Sequence, residues 1–107
     1  MAVNSVEYAT LIRHTNDVCL AVKADLLGVG GDLLSKHLIT KVNEDELRNA
    51  MISEDVRAAR LVGFMQDKVE EDPQHYHTFI EVLRERGESR YGGILRKLQE
   101  TYNNPGM

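Results

Sequence analysis

Apolar residues in this chain recur at three- and four-residue steps almost throughout, and the two-residue alternation of a half-buried strand is nearly absent. That spacing leaves helices as the main way for the chain to bury what it carries. Tyr8, Leu11, Ile12, Val18, Cys19, Val22 and Leu26 form a first stripe, interrupted at the polar run His14-Thr15-Asn16-Asp17, where a bend is expected. Ala58, Leu61, Val62, Met65 and Val69 form the cleanest one. Tyr76, Phe79, Ile80 and Leu83 form another, and Tyr91, Ile94, Leu95, Leu98 and Tyr102 a last. None of these segments is long enough to hold a helix alone in water, so they must share one core. Leu34, Leu38, Leu61, Val62, Met65, Phe79, Ile80, Leu83, Ile94 and Leu98, where the stripes converge, are its expected centre.

Punctuation between the stripes gives the expected boundaries. Asn4 with Glu7 has the spacing of a capping box at the first start, and Asn43 with Glu46 repeats it. Gly28, Gly30 and Gly31 are expected to end the first segment, after which Asp32 caps a short helix through Leu38. The Asn43 helix should run through Met51. Ser53 caps the next, Asp72-Pro73 separates it from its successor, and Gly87 closes that one. Asn103 to Met107 reads as a frayed tail. The sum is about six helices in an all-α bundle, one domain over residues 1–107 with its core at about 5–102.

Chemistry is harder to find. Gly28-Val29-Gly30-Gly31 lacks the Lys-Ser/Thr and the preceding strand of a phosphate loop. His75 and His77 point about 200° apart on a helix and cannot share a metal. Cys19 has no basic neighbour to activate it and no second cysteine to pair with. Glu44-Asp45-Glu46 lacks the spacing and glycine of a calcium loop. No catalytic residue, cofactor or metal is therefore expected, and the chain does not read as an enzyme. With no apolar run long enough for a bilayer and no secretion signal in Met1 to Leu11, the cytoplasm is its expected compartment.

Charge is the remaining feature. The net value is −4, yet residues 43–55 carry Glu44, Asp45, Glu46, Glu54 and Asp55 against Arg48, while residues 84–97 carry Arg84, Arg86, Arg90, Arg96 and Lys97 against Glu85 and Glu88. Acids in a first helical turn suit the helix dipole, which accounts for one or two of the first group. A basic 84–97 segment also admits a second reading, a small helical nucleic-acid binder, which the net acidity opposes.

Leu33-Leu34-Ser35-Lys36-His37-Leu38-Ile39-Thr40, Asn43-Glu44-Asp45-Glu46, Arg57-Ala58-Ala59-Arg60-Leu61-Val62, His77-Thr78-Phe79-Ile80-Glu81-Val82-Leu83 and Tyr91 with Ile94-Leu95 follow one another in the order found in a known family. From about Tyr8 to Tyr102 the chain resembles the caspase recruitment domain of the death-fold superfamily. The sister death effector domain carries an Arg-x-Asp-Leu signature where this chain reads Arg90-Tyr91-Gly92-Gly93. The resemblance implies a six-helix antiparallel Greek-key bundle with a kinked first helix. It implies a homotypic interaction module, binding itself and other such domains in apoptotic or innate-immune signalling and stacking into helical filaments. It further implies an acidic patch of Asp32, Glu44, Asp45 and Glu46 that meets a basic patch of Arg13, Lys23, Arg57 and Arg60 on the next molecule. Two different complementary patches on one molecule generate an open assembly. Glu44 and Arg57 are expected to be exposed charges near helix starts.

Overall fold

A computed structural model describes residues 5–104 and folds them as seven helices, with no strand among them. The described residues are all-α, as the periodicity requires. α1 (Val6–Arg13) and α2 (Thr15–Lys23) come from the first apolar stripe, broken at His14. The break is pinned from both sides: His14 Nε2 lies 2.6 Å from the Thr101 hydroxyl, and Gln66 donates to the Thr15 hydroxyl at 2.8 Å. Ser5 caps α1, its hydroxyl accepting from the Tyr8 amide; the Asn4 cap expected from the sequence lies outside the described residues.

α3 (Leu26–Ser35) corrects the reading of the glycines as a stop. They lie inside this helix, and Asp25 caps it in place of Asp32. The loss of helix propensity at glycine, about 1 kcal/mol each, is offset by what the missing side chains allow. Gly30 is buried, and a Cβ there would sit 3.0 Å from Leu47 Cδ1; at Gly28 a Cβ would collide with the Arg86 guanidinium and the Asp25 carboxylate. The real stop comes at His37, whose φ of 61° is left-handed. The Leu38 amide bonds back to Leu33 O at 2.9 Å and His37 to Leu34 O, the ladder of a Schellman ending with histidine where glycine is usual. His37→Gly is therefore expected to raise the melting temperature by a few degrees, relieving a strain of about 1 kcal/mol; a lower melting temperature would contradict this account of the turn.

α4 (Lys41–Arg48) starts three residues earlier than expected and ends before Met51. Thr40, not Asn43, is the cap: its hydroxyl accepts from the Asn43 amide at 3.0 Å, and Asn43 Oδ1 accepts from the Thr40 amide at 3.1 Å. α5 (Glu54–Glu71) is capped by Ser53, and α6 (Gln74–Arg86) and α7 (Glu88–Asn103) meet at Gly87, whose φ of 135° suits glycine. Asn103 closes α7 and is not tail; residues 105–107 lie outside the description.

α5 packs against α1, α2, α3, α4 and α6, and α7 closes the opposite side against α1, α2 and α6. Leu11, Val22, Leu33, Leu47, Leu61, Met65, Phe79, Leu83, Tyr91 and Leu98 are fully enclosed. Leu34 and Ile80, expected at the centre, are only partly buried against its edge, because Leu33 and Phe79 turn inward in their place. Among the described residues no helix is long and apolar enough to cross a membrane.

Candidate protein interface

The acidic cluster sits on α4, whose first turn faces Lys41 at its own start. Lys41 Nζ reaches Glu44 Oε1 at 3.0 Å and Asp45 Oδ1 at 2.7 Å, the three- and four-residue spacing at which helical side chains meet. Arg48, one turn on, approaches Glu44 Oε2 at 3.4 Å. Glu44 is thus buried, at 6% exposure, which corrects its reading as a free surface charge. The reason is local: a residue between Leu47 and Gly31 turns inward, and two cations on its own helix compensate it. Hydrogen bonds from Lys41 and then Arg48 outweigh burial and hold its carboxyl below the usual value.

Arg57 is corrected in the same way. Its Nε donates to Ile52 O at 2.9 Å and its Nη1 to Leu47 O at 3.0 Å, so it ties carbonyls at the end of α4 and in the following turn. Those carbonyls have no helical partner of their own, and a nearby guanidinium satisfies them. Arg57 is only partly exposed as a result.

The other expected residues lie nearer solvent, each engaged within the molecule. Glu46 meets Arg60 of α5 at 3.3 Å, so one acidic and one basic candidate share an edge. Asp45 is 61% exposed. Lys23 pairs with Asp55 at 2.6 Å, and Arg13 is exposed at the end of α1. Asp32 is bound at 3.1 Å by Arg86. Arg86 also pairs with Asp25 at 2.8 Å, and Arg90 joins the same carboxylate at 3.2 Å. This Asp25-centred hub is absent from the sequence reading, since 61 residues separate Asp25 from Arg86. Lys41 and Arg48 were not singled out as partners of Glu44, although their three- and four-residue spacing to it is the signal that could have found them.

Ion pairs, those of the hub and others, engage four of the five cations of the basic 84–97 segment. Arg86 and Arg90 serve Asp25 and Asp32, Lys97 approaches Asp17 at 3.6 Å, and Arg84 lies 3.7 Å from Glu88. A phosphate backbone needs concentrated, available cations, and this arrangement disperses them. Burial pushes the Cys19 thiol up, away from the reactive thiolate. Among the described residues no three His, Cys, Asp or Glu side chains are grouped to hold a metal ion.

Acid sensitivity follows from the depressed carboxyls of Glu44, described above, and Glu7. Glu7 is partly buried, which raises its pKa, but its own backbone hydrogen bond, His77 and Tyr102 together lower it below the ordinary 4.5. His77 Nε2 lies 3.2 Å from Glu7 Oε2, and the Tyr102 hydroxyl donates to the same oxygen at 3.2 Å. A carboxyl whose folded pKa is depressed adds stability above its unfolded value and loses it as pH falls through the folded one. Melting temperature should therefore fall as pH drops below about 5, and Glu7→Gln should flatten that fall. An identical pH profile in Glu7→Gln would contradict the assignment.

No model of a known protein family, no curated protein and no solved structure matches the chain.

Proposed function

We propose that the chain is a non-catalytic, cytoplasmic protein-interaction module of the caspase-recruitment kind, which assembles with its own kind in apoptotic or innate-immune signalling. The observation that carries this reading is the break at His14. Counting α1 and α2 as one kinked helix leaves six, in the order that the sequence motifs require, with the bend where the resemblance puts it. The finer claim, a six-helix Greek-key death fold, rests on that same correspondence. The surface adds support: the acidic Asp45, Glu46 and Asp32 and the basic Arg13, Lys23 and Arg60 all retain exposed or part-exposed charge.

Glu44 and Arg57 leave the list of contact residues, since reversing either would disturb internal bonds before it reached a partner. Asp45→Arg and Arg60→Glu are the better pair. Each should block assembly with the fold kept, because exposed substitutions change stability by about 0.5 kcal/mol while like charges facing across an interface cost several. Assembly of the unmodified chain should weaken as salt rises to several hundred millimolar, the screening length being about 10 Å at 0.1 M. Light scattering across a salt series reads both. Assembly that strengthens with salt, or variants that assemble like the parent, would remove the charge argument.

A further inference from the structure

The chain has four serines, and the fold gives two of them a structural task. The Ser5 hydroxyl caps α1 by accepting from the Tyr8 amide, and that of Ser53 caps α5 by accepting from Val56. Ser35 lies in the last turn of α3, with Asp32 three residues before it. Ser89 is different. It is exposed in the first turn of α7, and among the described residues its hydroxyl has no hydrogen-bond partner. The run that leads to it is Arg84-Glu85-Arg86-Gly87-Glu88-Ser89, which places arginines three and five residues before the hydroxyl. No other serine or threonine of the chain has arginine at both positions. Tyr91, two residues on, is fully enclosed and offers no hydroxyl to solvent.

Arg86 and Arg90 bracket Ser89 in the chain. Both serve carboxylates on α3 and its cap: Arg86 reaches Asp25 at 2.8 Å and Asp32 at 3.1 Å, and Arg90 reaches Asp25 at 3.2 Å. Arg84 meets Glu88 at 3.7 Å, and both of these side chains are more than half exposed. Glu85 and Glu88 are the acids beside Ser89 in the chain, and both are exposed. At the start of α7 the amides of Glu88 and Ser89 have no acceptor within the helix, and no side chain caps that turn.

We propose that Ser89 is a phosphorylation site for a serine kinase whose peptide cleft carries acidic pockets for arginine, and that its phosphate draws Arg86 and Arg90 away from Asp25 and Asp32. Ser89 Oγ attacks the γ-phosphorus of the kinase's nucleoside triphosphate. The Oγ–P bond forms as the bond to the diphosphate breaks, and the hydroxyl proton passes to the kinase's base. The kinase reaches the serine by parting the joint at Gly87, where α6 ends and the uncapped α7 begins. The product carries a charge of about −2 and three acceptor oxygens. Such a group beside two guanidiniums competes with single carboxylates for them, and the start of a helix favours an anion. Asp25 keeps the Gly28 amide on its Oδ1, so the cap of α3 survives the exchange. The site does not depend on the self-assembly reading.

Incubating the folded full chain with magnesium-ATP and the catalytic subunit of an arginine-directed serine kinase, followed by mass spectrometry, tests the site. One phosphate should appear, at Ser89, and none in Ser89→Ala. Arg84→Gln should slow the reaction by about tenfold, the worth of one charge-assisted contact. Phosphate at another residue, an Arg84→Gln chain modified as fast as the parent, or a peptide of residues 80–95 modified while the folded chain is not, would each overturn it. Urea unfolding of the parent and Asp25→Asn, each before and after phosphorylation, reads the exchange of partners. The substitution should lower the midpoint of the unmodified chain and have much less effect on the phosphorylated one, whose arginines have already left Asp25. An equal loss in both would place the arginines still at Asp25 and overturn the exchange.

Discussion

Phe79→Ala should cost roughly 3–5 kcal/mol, the usual range for deleting a fully buried phenylalanine, and leave much of the protein unfolded at moderate temperature. Small domains have only about 5–15 kcal/mol in total, so one such cavity removes a large share. Phe79 has no exposed surface, on the inward face of α6. Its neighbour Ile80 serves as control, being only partly buried and lying towards α7. Ile80→Ala should therefore cost distinctly less. Urea unfolding of both variants decides: equal losses would mean that the inward face of α6 has been assigned wrongly.

Asp25→Ala is expected to cost about 2 kcal/mol, because one carboxylate performs two tasks. Its Oδ1 accepts from the Gly28 amide at 3.2 Å and caps α3, a role worth about 1 kcal/mol. Its Oδ2 receives Arg86 and Arg90, exposed enough that the pairs together add about 1 kcal/mol after screening. Asp25→Asn separates the two, keeping the cap acceptor and losing the charge. It should fall midway between the parent and Asp25→Ala in urea unfolding. Asn as damaging as Ala would assign the effect to the charge alone and remove the cap from the account.

The helical class, the break at His14, the Ser53 cap and the Gly87 joint were legible because each depends on residues a few positions apart. The glycines of α3 were not. Their purpose lies in Leu47 and Arg86, distant in sequence, and a tertiary approach overrode the local preference for ending a helix there. His37 hid the true stop, since histidine seldom adopts a left-handed conformation. At the candidate interface the types of charge were readable, but their availability was not. Glu44 was expected as an exposed interface charge near a helix start and is instead enclosed between Lys41 and Arg48, while Arg57 spends its donors on the carbonyls of Leu47 and Ile52. Net charge along a segment states what a surface contains; only the fold states which charges are left over for a partner.

The central claim, that this domain assembles with its own kind, is tested most directly by electron microscopy of the purified full chain at increasing concentration and low salt. Filaments that lengthen with concentration, and that Asp45→Arg abolishes, are the predicted result. Monodisperse monomers at every concentration, alone or mixed with domains of the caspase-recruitment kind, would contradict it.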